Sequence, residues 1–332
     1  MRMQYAFLGR TGVKVSRLAL GTMTFGGEAD DAAAAAIVQR ARSAGVNLID
    51  TADVYEDGRS EEILGRLLRG WRDEVVLGTK AYYPTGPDHN AQGSSRYHLV
   101  RAVEASLTRL ATDRIDIYYL HRFDDVTDIG ESLRALDDLV RQGKILYPAC
   151  SNFAAWQVAH ALGVAAADGL APFCAVQPMY NLLKRQAEVE ILPMAQALGL
   201  AAIVYSPTAG GLLTGKYAGA ARPAAARLVE NAMYQSRYGD ASNWAAAEAF
   251  TALAGEMGLA PATLAVGWVA SHPAVTSVLL GARSVEQLDA SLAAADLVLD
   301  DATHARMAAL TTAPPPATDR SDEPPVHNDR QQ

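Results

Sequence analysis

From about Val15 to Leu297 the chain alternates short apolar runs with longer segments whose apolar residues recur at helical spacing. The runs read VSRLALGT, NLIDTA, EVVLGTKA, IDIYYLH, ILYPACSN, FCAVQPMYN, AAIVYSP and TSVLLGA. Strict alternation implies parallel strands, because a strand reaches a parallel neighbour only through a crossover, usually a helix. An open doubly wound sheet can be written in the same pattern. Eight consecutive units fit a closed (β/α)8 barrel better, and no linker or shift in composition divides them. The expected architecture is α/β, with one barrel domain over residues 1–312. An N-terminal β-hairpin in MQYAFLGRTGVKV, turning at Gly9–Gly12, precedes it.

Local signals refine this frame. Ser60 suits the N-cap of the helix SEEILGRLLRG, with Glu61 and Glu62 in its first turn. Val100, Val103, Leu107 and Leu110 share one face of a helix from about Arg96 to Ala111. Thr208–Asn243 reads as a long Gly- and Ala-rich connection, of a length usually reserved for functional or mobile loops. The Pro-rich, polar residues 313–332 are expected to be disordered.

The strand ends carry the chemistry, since in such barrels function collects at the carboxyl ends of the strands. Successive runs end in Leu48-Ile49-Asp50, Gly78-Thr79-Lys80 and Tyr119-Leu120-His121. A period of two places Leu48 with Asp50 on one face, Val76 and Gly78 with Lys80, and Ile115, Ile117 and Tyr119 with His121. Tyr55 stands on the loop after the first of these ends. Taken singly, the four are a turn residue, a snorkelling lysine, a packing tyrosine and a structural histidine. Taken together they fit one task. A tyrosine hydroxyl titrates near ~10, too high for efficient proton exchange at neutral pH. A neighbouring ammonium favours the phenolate and is expected to lower that value. Lys80 can supply the charge, Asp50 can hold Lys80 protonated, and His121 can direct a carbonyl oxygen toward Tyr55.

The stretches LGTMTFGG, NLIDTADVYEDGRSEEILG, VVLGTK, YYLHRFD, ACSNF, VQPMYNLL, YSPTAGGLLTGKY and LLGARSVEQL resemble the aldo-keto reductase family, from Met3 to about Leu310. The resemblance implies a catalytic tetrad of Asp50, Tyr55, Lys80 and His121. It also implies a nicotinamide cofactor bound across the mouth of the barrel without a Rossmann fold, and hydride transfer to an aldehyde or ketone. By the same resemblance Ser151, Asn152 and Gln177 hold the carboxamide, and Tyr205 stacks on the nicotinamide. The segment Ser206–Lys216, including Pro207, Gly210, Leu212 and Gly215, wraps the pyrophosphate. Gly281, Ala282, Arg283 and Gln287 receive the adenosine end, while Gly21 and Met23 line the nicotinamide pocket and Asp50 borders it. Ala290 and Ser291 stand where many members place an acid and an asparagine on the adenine. Glu56 follows the tetrad tyrosine where many members have glycine. Arg283 suits a 2′-phosphate, so NADPH is expected in preference to NADH.

Other functions are weighed against this. GGLLTGKY nearly spells a P-loop, but Tyr217 replaces the Ser or Thr that would bind magnesium. Neither G-x-G-x-x-G after a strand nor G-x-S-x-G occurs. His89 and His98, flanking the loop after the third strand, read as solvated residues without metal-ligand spacing, and no metal site is expected. A Schiff-base lyase using Lys80 and a cofactor-binding regulatory subunit of the channel-associated kind are the alternatives. A net charge of −8 and a pI near 5.4 argue against a nucleic-acid partner. Cys150 and Cys174 lie in apolar runs and read as reduced core thiols. MRMQYAFLGRTG lacks the apolar core of a signal peptide, and no run approaches a membrane span, so a cytoplasmic protein is expected. Tyr82, Tyr83 and Phe123 favour a partly apolar carbonyl substrate.

Overall fold

The computed structural model describes residues 2–217, 228 and 231–318. Eight parallel strands close into a barrel: β3 (Leu18–Gly21), β4 (Leu48–Asp50), β5 (Val76–Ala81), β6 (Ile115–Leu120), β7 (Ile145–Ser151), β8 (Ala175–Gln177), β9 (Ala201–Val204) and β10 (Val275–Gly281). The seam is the pairing of β10 with β3, where Gly281 lies opposite Gly21. This is a (β/α)8 TIM barrel, as the alternation predicts. The antiparallel hairpin β1 (Tyr5–Phe7) and β2 (Lys14–Ser16) precedes it.

Two apolar layers follow from the two faces of the strands. Inside the barrel, Leu48, Ile117, Tyr119, Ala149, Ala175, Ile203 and Leu279 pack with Leu8 and Val15 from the hairpin region, and partly with Val13 and Val76. Hairpin residues close the end at which the strands begin: a Cβ on Gly9 would lie 2.7 Å from the Cys174 carbonyl and 2.9 Å from that of Gly199. The outer layer holds the alternate strand residues, such as Ile49, Leu77, Tyr118 and Leu120, against the helices. Both cysteines are free and buried.

The helices between strands are α1 (Asp31–Ser43), α2 (Arg59–Leu67), α3 (Arg96–Leu110), α4 (Ile129–Arg141), α5 (Ala155–Asp168) and α6 (Ile191–Leu198). After β9 come α7 (Ala232–Tyr238), α8 (Ala241–Glu256) and α9 (Pro261–Ser271), and after β10 come α10 (Val285–Leu292) and α11 (Asp301–Ala308). Three local expectations are corrected. Gly58, in a left-handed conformation at φ 89°, caps α2, and Ser60 is buried inside its first turn. The Ser60 hydroxyl donates to Thr22 O at 2.8 Å and contacts the Thr51 hydroxyl at 2.9 Å, tying two mouth loops together. His98 is a buried residue of α3 and not solvated. The buried face of α3 runs through Leu99, Val103, Ser106 and Leu110 with Leu107 partly buried against the core, and Val100 is the one expected residue that lies off it.

The connection after β9 is partly helical, since α7 begins at Ala232; residues 218–227 and 229–230 lie outside the described residues. Of the Pro-rich tail, 313–318 are irregular and 319–332 lie outside the described residues. Among the described residues no single helix is long and apolar enough to cross a membrane.

Candidate active site

Asp50 is the last residue of β4, Lys80 lies in β5 and His121 directly follows β6, so the register of the sheet brings the three together. Backbone pairing continues past the strands: Asp53 N donates to Lys80 O at 3.1 Å and His121 N to Ala81 O at 3.0 Å. Lys80 is fully buried. Its ammonium contacts Asp50 Oδ1, donates to Thr51 O at 2.6 Å and lies 3.5 Å from the Tyr55 hydroxyl. Gln177 Nε2 donates to the other Asp50 oxygen at 2.9 Å. The rings of Tyr55 and His121 meet edge to face with centroids 5.9 Å apart, and Tyr83 meets His121 in the same way at 5.0 Å. All four expected tetrad residues thus share one pocket at the mouth.

The electrostatics differ from expectation in one respect. Burial pushes the Tyr55 phenol above its ordinary value, and the opposing pull of Lys80 does not overcome it. Lys80 therefore moderates the phenol instead of making it more acidic than usual, and Tyr55 rests protonated. Burial acts against the Lys80 ammonium too, but Asp50 and Tyr55 outweigh it and hold the lysine above its ordinary value. Burial raises the Asp50 carboxyl against the pull of Lys80 and Gln177. Burial, aided by Lys80, drives His121 well below its ordinary value, so the imidazole is neutral. Its Nδ1 is buried without a hydrogen-bond partner.

Most of the expected cofactor residues line the same mouth. Ser151 Oγ donates to Gln177 O at 2.9 Å. The Asn152 amide donates to His121 O at 2.9 Å and to Ser151 Oγ at 3.1 Å, and its oxygen accepts from the Tyr205 hydroxyl at 2.7 Å. Asn152 at φ 59°, Ser206 at φ 60° and Ala209 at φ 52° hold left-handed conformations, as do Glu56 and Asp57 beside Tyr55. Such strain persists only where the surroundings enforce it. Past Pro207, Gly210 and Gly211 also take positive φ, and a Cβ on Gly211 would lie 2.8 Å from Lys216 Nζ. Glycine there lets the ammonium lie over the turn; Gly215 is left-handed as well. Leu212 is different: its side chain is buried in the outer core.

Across the mouth, Gly21 ends β3 opposite Gly281, and exposed Met23 follows it. Thr24 Oγ1 donates to Ala282 O at 2.8 Å, and the Arg283 guanidinium pairs with Glu28 at 3.2 Å. The Gln287 side chain accepts from Arg283 N at 3.1 Å. Ser291, at one of the positions that depart from the family pattern, turns its hydroxyl to Gln287 O at 3.3 Å. Glu56 is exposed, with its carboxylate against Gly27.

Sequence reasoning missed two parts of this region. Asp53, in the loop after β4, is buried beside Glu61 and Arg109, with no side-chain hydrogen bond to either carboxylate oxygen. Tyr234 and Tyr238, both buried on α7, close over the mouth. A Cβ on Gly210 would lie 2.5 Å from the Tyr234 ring, and the Tyr238 hydroxyl accepts from Asn181 Nδ2 at 3.1 Å. The spacing in YQSRY was a usable signal, because residues four apart share a helical face.

A closed parallel barrel with an acid, an ammonium, a phenol and an imidazole gathered at its mouth defines a class, the (β/α)8 barrels with a polar site at the strand ends. Within that class the chain belongs to the aldo/keto reductase family, whose model matches residues 17–312. A Bacillus subtilis (strain 168) protein named "Uncharacterized oxidoreductase YrpG" is 37% identical over 314 residues, covering 90% of this chain and 93% of its own length. A rice (Oryza sativa subsp. japonica) protein named "Probable voltage-gated potassium channel subunit beta" is 38% identical over 305 residues, covering 89% of this chain and 92% of its own. An Arabidopsis thaliana protein of the same name is 38% identical with the same coverage.

Proposed function

We propose that this chain is an NADPH-dependent oxidoreductase that reduces aldehydes or ketones to alcohols, with Tyr55 as general acid. The observation that carries the reading is the buried Lys80 ammonium, held between the Asp50 carboxylate and the Tyr55 hydroxyl. The residues around it suit a nicotinamide nucleotide. Ser151, Asn152 and Gln177 would hold the carboxamide, and the Tyr205 ring, fixed by Asn152, would cover the nicotinamide face. The turn Ser206–Lys216, with its left-handed glycines and overlying ammonium, suits the diphosphate. Arg283 and Gln287 would meet the adenosine end, and a guanidinium there favours a 2′-phosphate.

The nucleotide, when bound, supplies a hydride to the carbonyl carbon. Tyr55 gives its hydroxyl proton to the carbonyl oxygen as charge develops there, leaving an alcohol and a phenolate. Lys80 lies close enough to stabilise that phenolate as it forms. Asp50 keeps Lys80 charged and aimed. Neutral His121 orients the oxygen without competing as an acid. After the alcohol leaves, the phenolate regains a proton from water.

The test is an NADPH-oxidation screen over sugars, aromatic aldehydes and ketones, run beside NADH, with Tyr55→Phe as control. Removing only the proton donor should lower kcat by about a thousandfold or more while nucleotide affinity stays nearly constant. Full activity in that variant would refute the mechanism. A Schiff-base role for Lys80 is disfavoured by its retained charge, since a protonated amine is not a nucleophile. The plant relatives favour a regulatory reading as well; turnover without any partner protein would separate the two.

A further inference from the structure

Helix α7 is the one element at the mouth that the reductase reading leaves without a role. Asn231 caps it, accepting from Met233 N at 3.0 Å and Tyr234 N at 3.4 Å. Spacings of three and four place Tyr234, Arg237 and Tyr238 on one face, while Met233, Gln235 and Ser236 stay exposed. That face is fastened to the site. The Tyr234 ring lies on Gly210, and the Asn181 amide that reaches the Tyr238 hydroxyl also donates to Ser206 O at 2.9 Å.

Arg237 is the residue whose chemistry is incomplete. Its guanidinium sits over the Tyr234 ring, 5.8 Å from the centroid, and is half-buried. Other partly buried arginines have polar partners: Arg72 pairs with Asp116, Arg109 with Glu61 and Arg185 with Glu188, while Arg17 donates to the Val275 and Ala270 carbonyls. No ion pair joins Arg237 to a carboxylate among the described residues. Five N–H donors in a fixed fork, partly withdrawn from water, favour a planar anion arriving from outside. Its neighbours place it near the mouth. Burial raises the Tyr205 and Tyr238 phenols, and Arg237 pulls both back down. Tyr205 in turn is bonded to Asn152, which holds the His121 carbonyl.

We propose that Arg237 is the anion-recognition residue of the substrate pocket, selecting carbonyl compounds that also carry a carboxylate. The inference rests on the reductase reading and extends it. Lys216 and Arg283 already stand along the nucleotide path, whereas Arg237 belongs to the α7 face that packs on Gly210 through Tyr234 and lies near enough to Tyr205 to act on its phenol. A protein with a formal charge of −8 repels an anionic substrate at long range, so a cation at the mouth is needed to hold one. Glu56 and Asp57, which follow Tyr55, are exposed and do not pair with Arg237.

The experiment compares para-carboxybenzaldehyde with its uncharged isostere para-formylbenzamide, using wild-type protein, Arg237→Met and Arg237→Lys. The wild type should prefer the acid by about 10- to 100-fold in kcat/KM, as expected for a charge-assisted pair. Arg237→Met should erase most of that ratio through KM, and Arg237→Lys should restore part of it. Fluorescence titration should give the same nucleotide Kd for all three proteins, and their melting curves should coincide. An equal kcat/KM for the two aldehydes in the wild type, or an unchanged ratio in Arg237→Met, would overturn the anion site and leave the reductase reading standing. Weakened nucleotide binding in Arg237→Met would overturn it as well, by assigning the arginine to a phosphate. Reduction of neither aldehyde with either nucleotide would bring down the reductase reading itself.

Discussion

Replacing Asp53 by asparagine should make the fold less sensitive to alkaline pH, by an amount that follows from where this carboxyl sits. It is 3% exposed, with no side-chain hydrogen bond to either oxygen. Burial, and then repulsion from Glu61, lift its pKa to about 8, against the pull of Arg109, the Val54 backbone amide and Lys80. In the unfolded chain the same group titrates near ~3.9. Between those values the folded protein keeps a proton that the unfolded chain has released, so rising pH favours unfolding. The stability tied to this proton is complete below pH ~4 and lost progressively up to about pH 8. Each unit of pH across that span costs about 1.4 kcal/mol. The wild type has lost on the order of 1 kcal/mol by pH 5 and on the order of 5 kcal/mol by pH 9. The amide introduced by Asp53→Asn has no proton to lose. Urea unfolding of both proteins, followed by circular dichroism at about pH 5, 7 and 9, should therefore show the Asp53→Asn advantage growing by about 4 kcal/mol from the lowest pH to the highest. A gap that stays constant across the three would mean that Asp53 is ionised or solvated throughout, and the reasoning would fail.

Other consequences can be checked as directly. Since Tyr55 rests protonated and His121 neutral, reduction with saturating nucleotide should be flat from about pH 6 to 9; a fall centred near ~6.5 would reveal a titrating imidazole. Freeing Arg283 by Glu28→Gln should tighten NADPH relative to NADH by about fivefold in fluorescence titrations. Equal effects on both nucleotides would detach Glu28 from the 2′-phosphate. Gly65→Ala puts a methyl 2.5 Å from Arg109 O and 2.7 Å from the Leu110 carbonyl carbon, forcing α2 from α3. Although alanine is the better helix former, the variant should lose about 2–4 kcal/mol in thermal or urea unfolding. An unchanged melting temperature would contradict the close contact.

The barrel was legible because its signal is periodic and repeated. Eight apolar runs at regular intervals leave few topologies, and period-two parity aimed Asp50, Lys80 and His121 inward before any contact was visible. What stayed hidden depended on distant partners. Nothing within DTADVY distinguishes an exposed Asp53 from a buried one; that is decided by Glu61, Arg109 and Tyr118 on other elements. Ser60 looked like a cap because the left-handed turn at Gly58 that takes this place is a matter of backbone geometry. The balance at Tyr55 was misjudged for a related reason. A sequence places the cation near the phenol, but only the packed structure reveals how thoroughly the hydroxyl is removed from water.

The packing of Leu8, Val13 and Val15 against the first residues of the strands has a kinetic corollary. A barrel filled by side chains and stoppered at its base takes up ligands at its mouth, so under the proposed reductase reading two reactants share one doorway and must queue. Whichever is seated deeper has to arrive first and depart last, and a tight hold on that first guest limits how often the doorway clears.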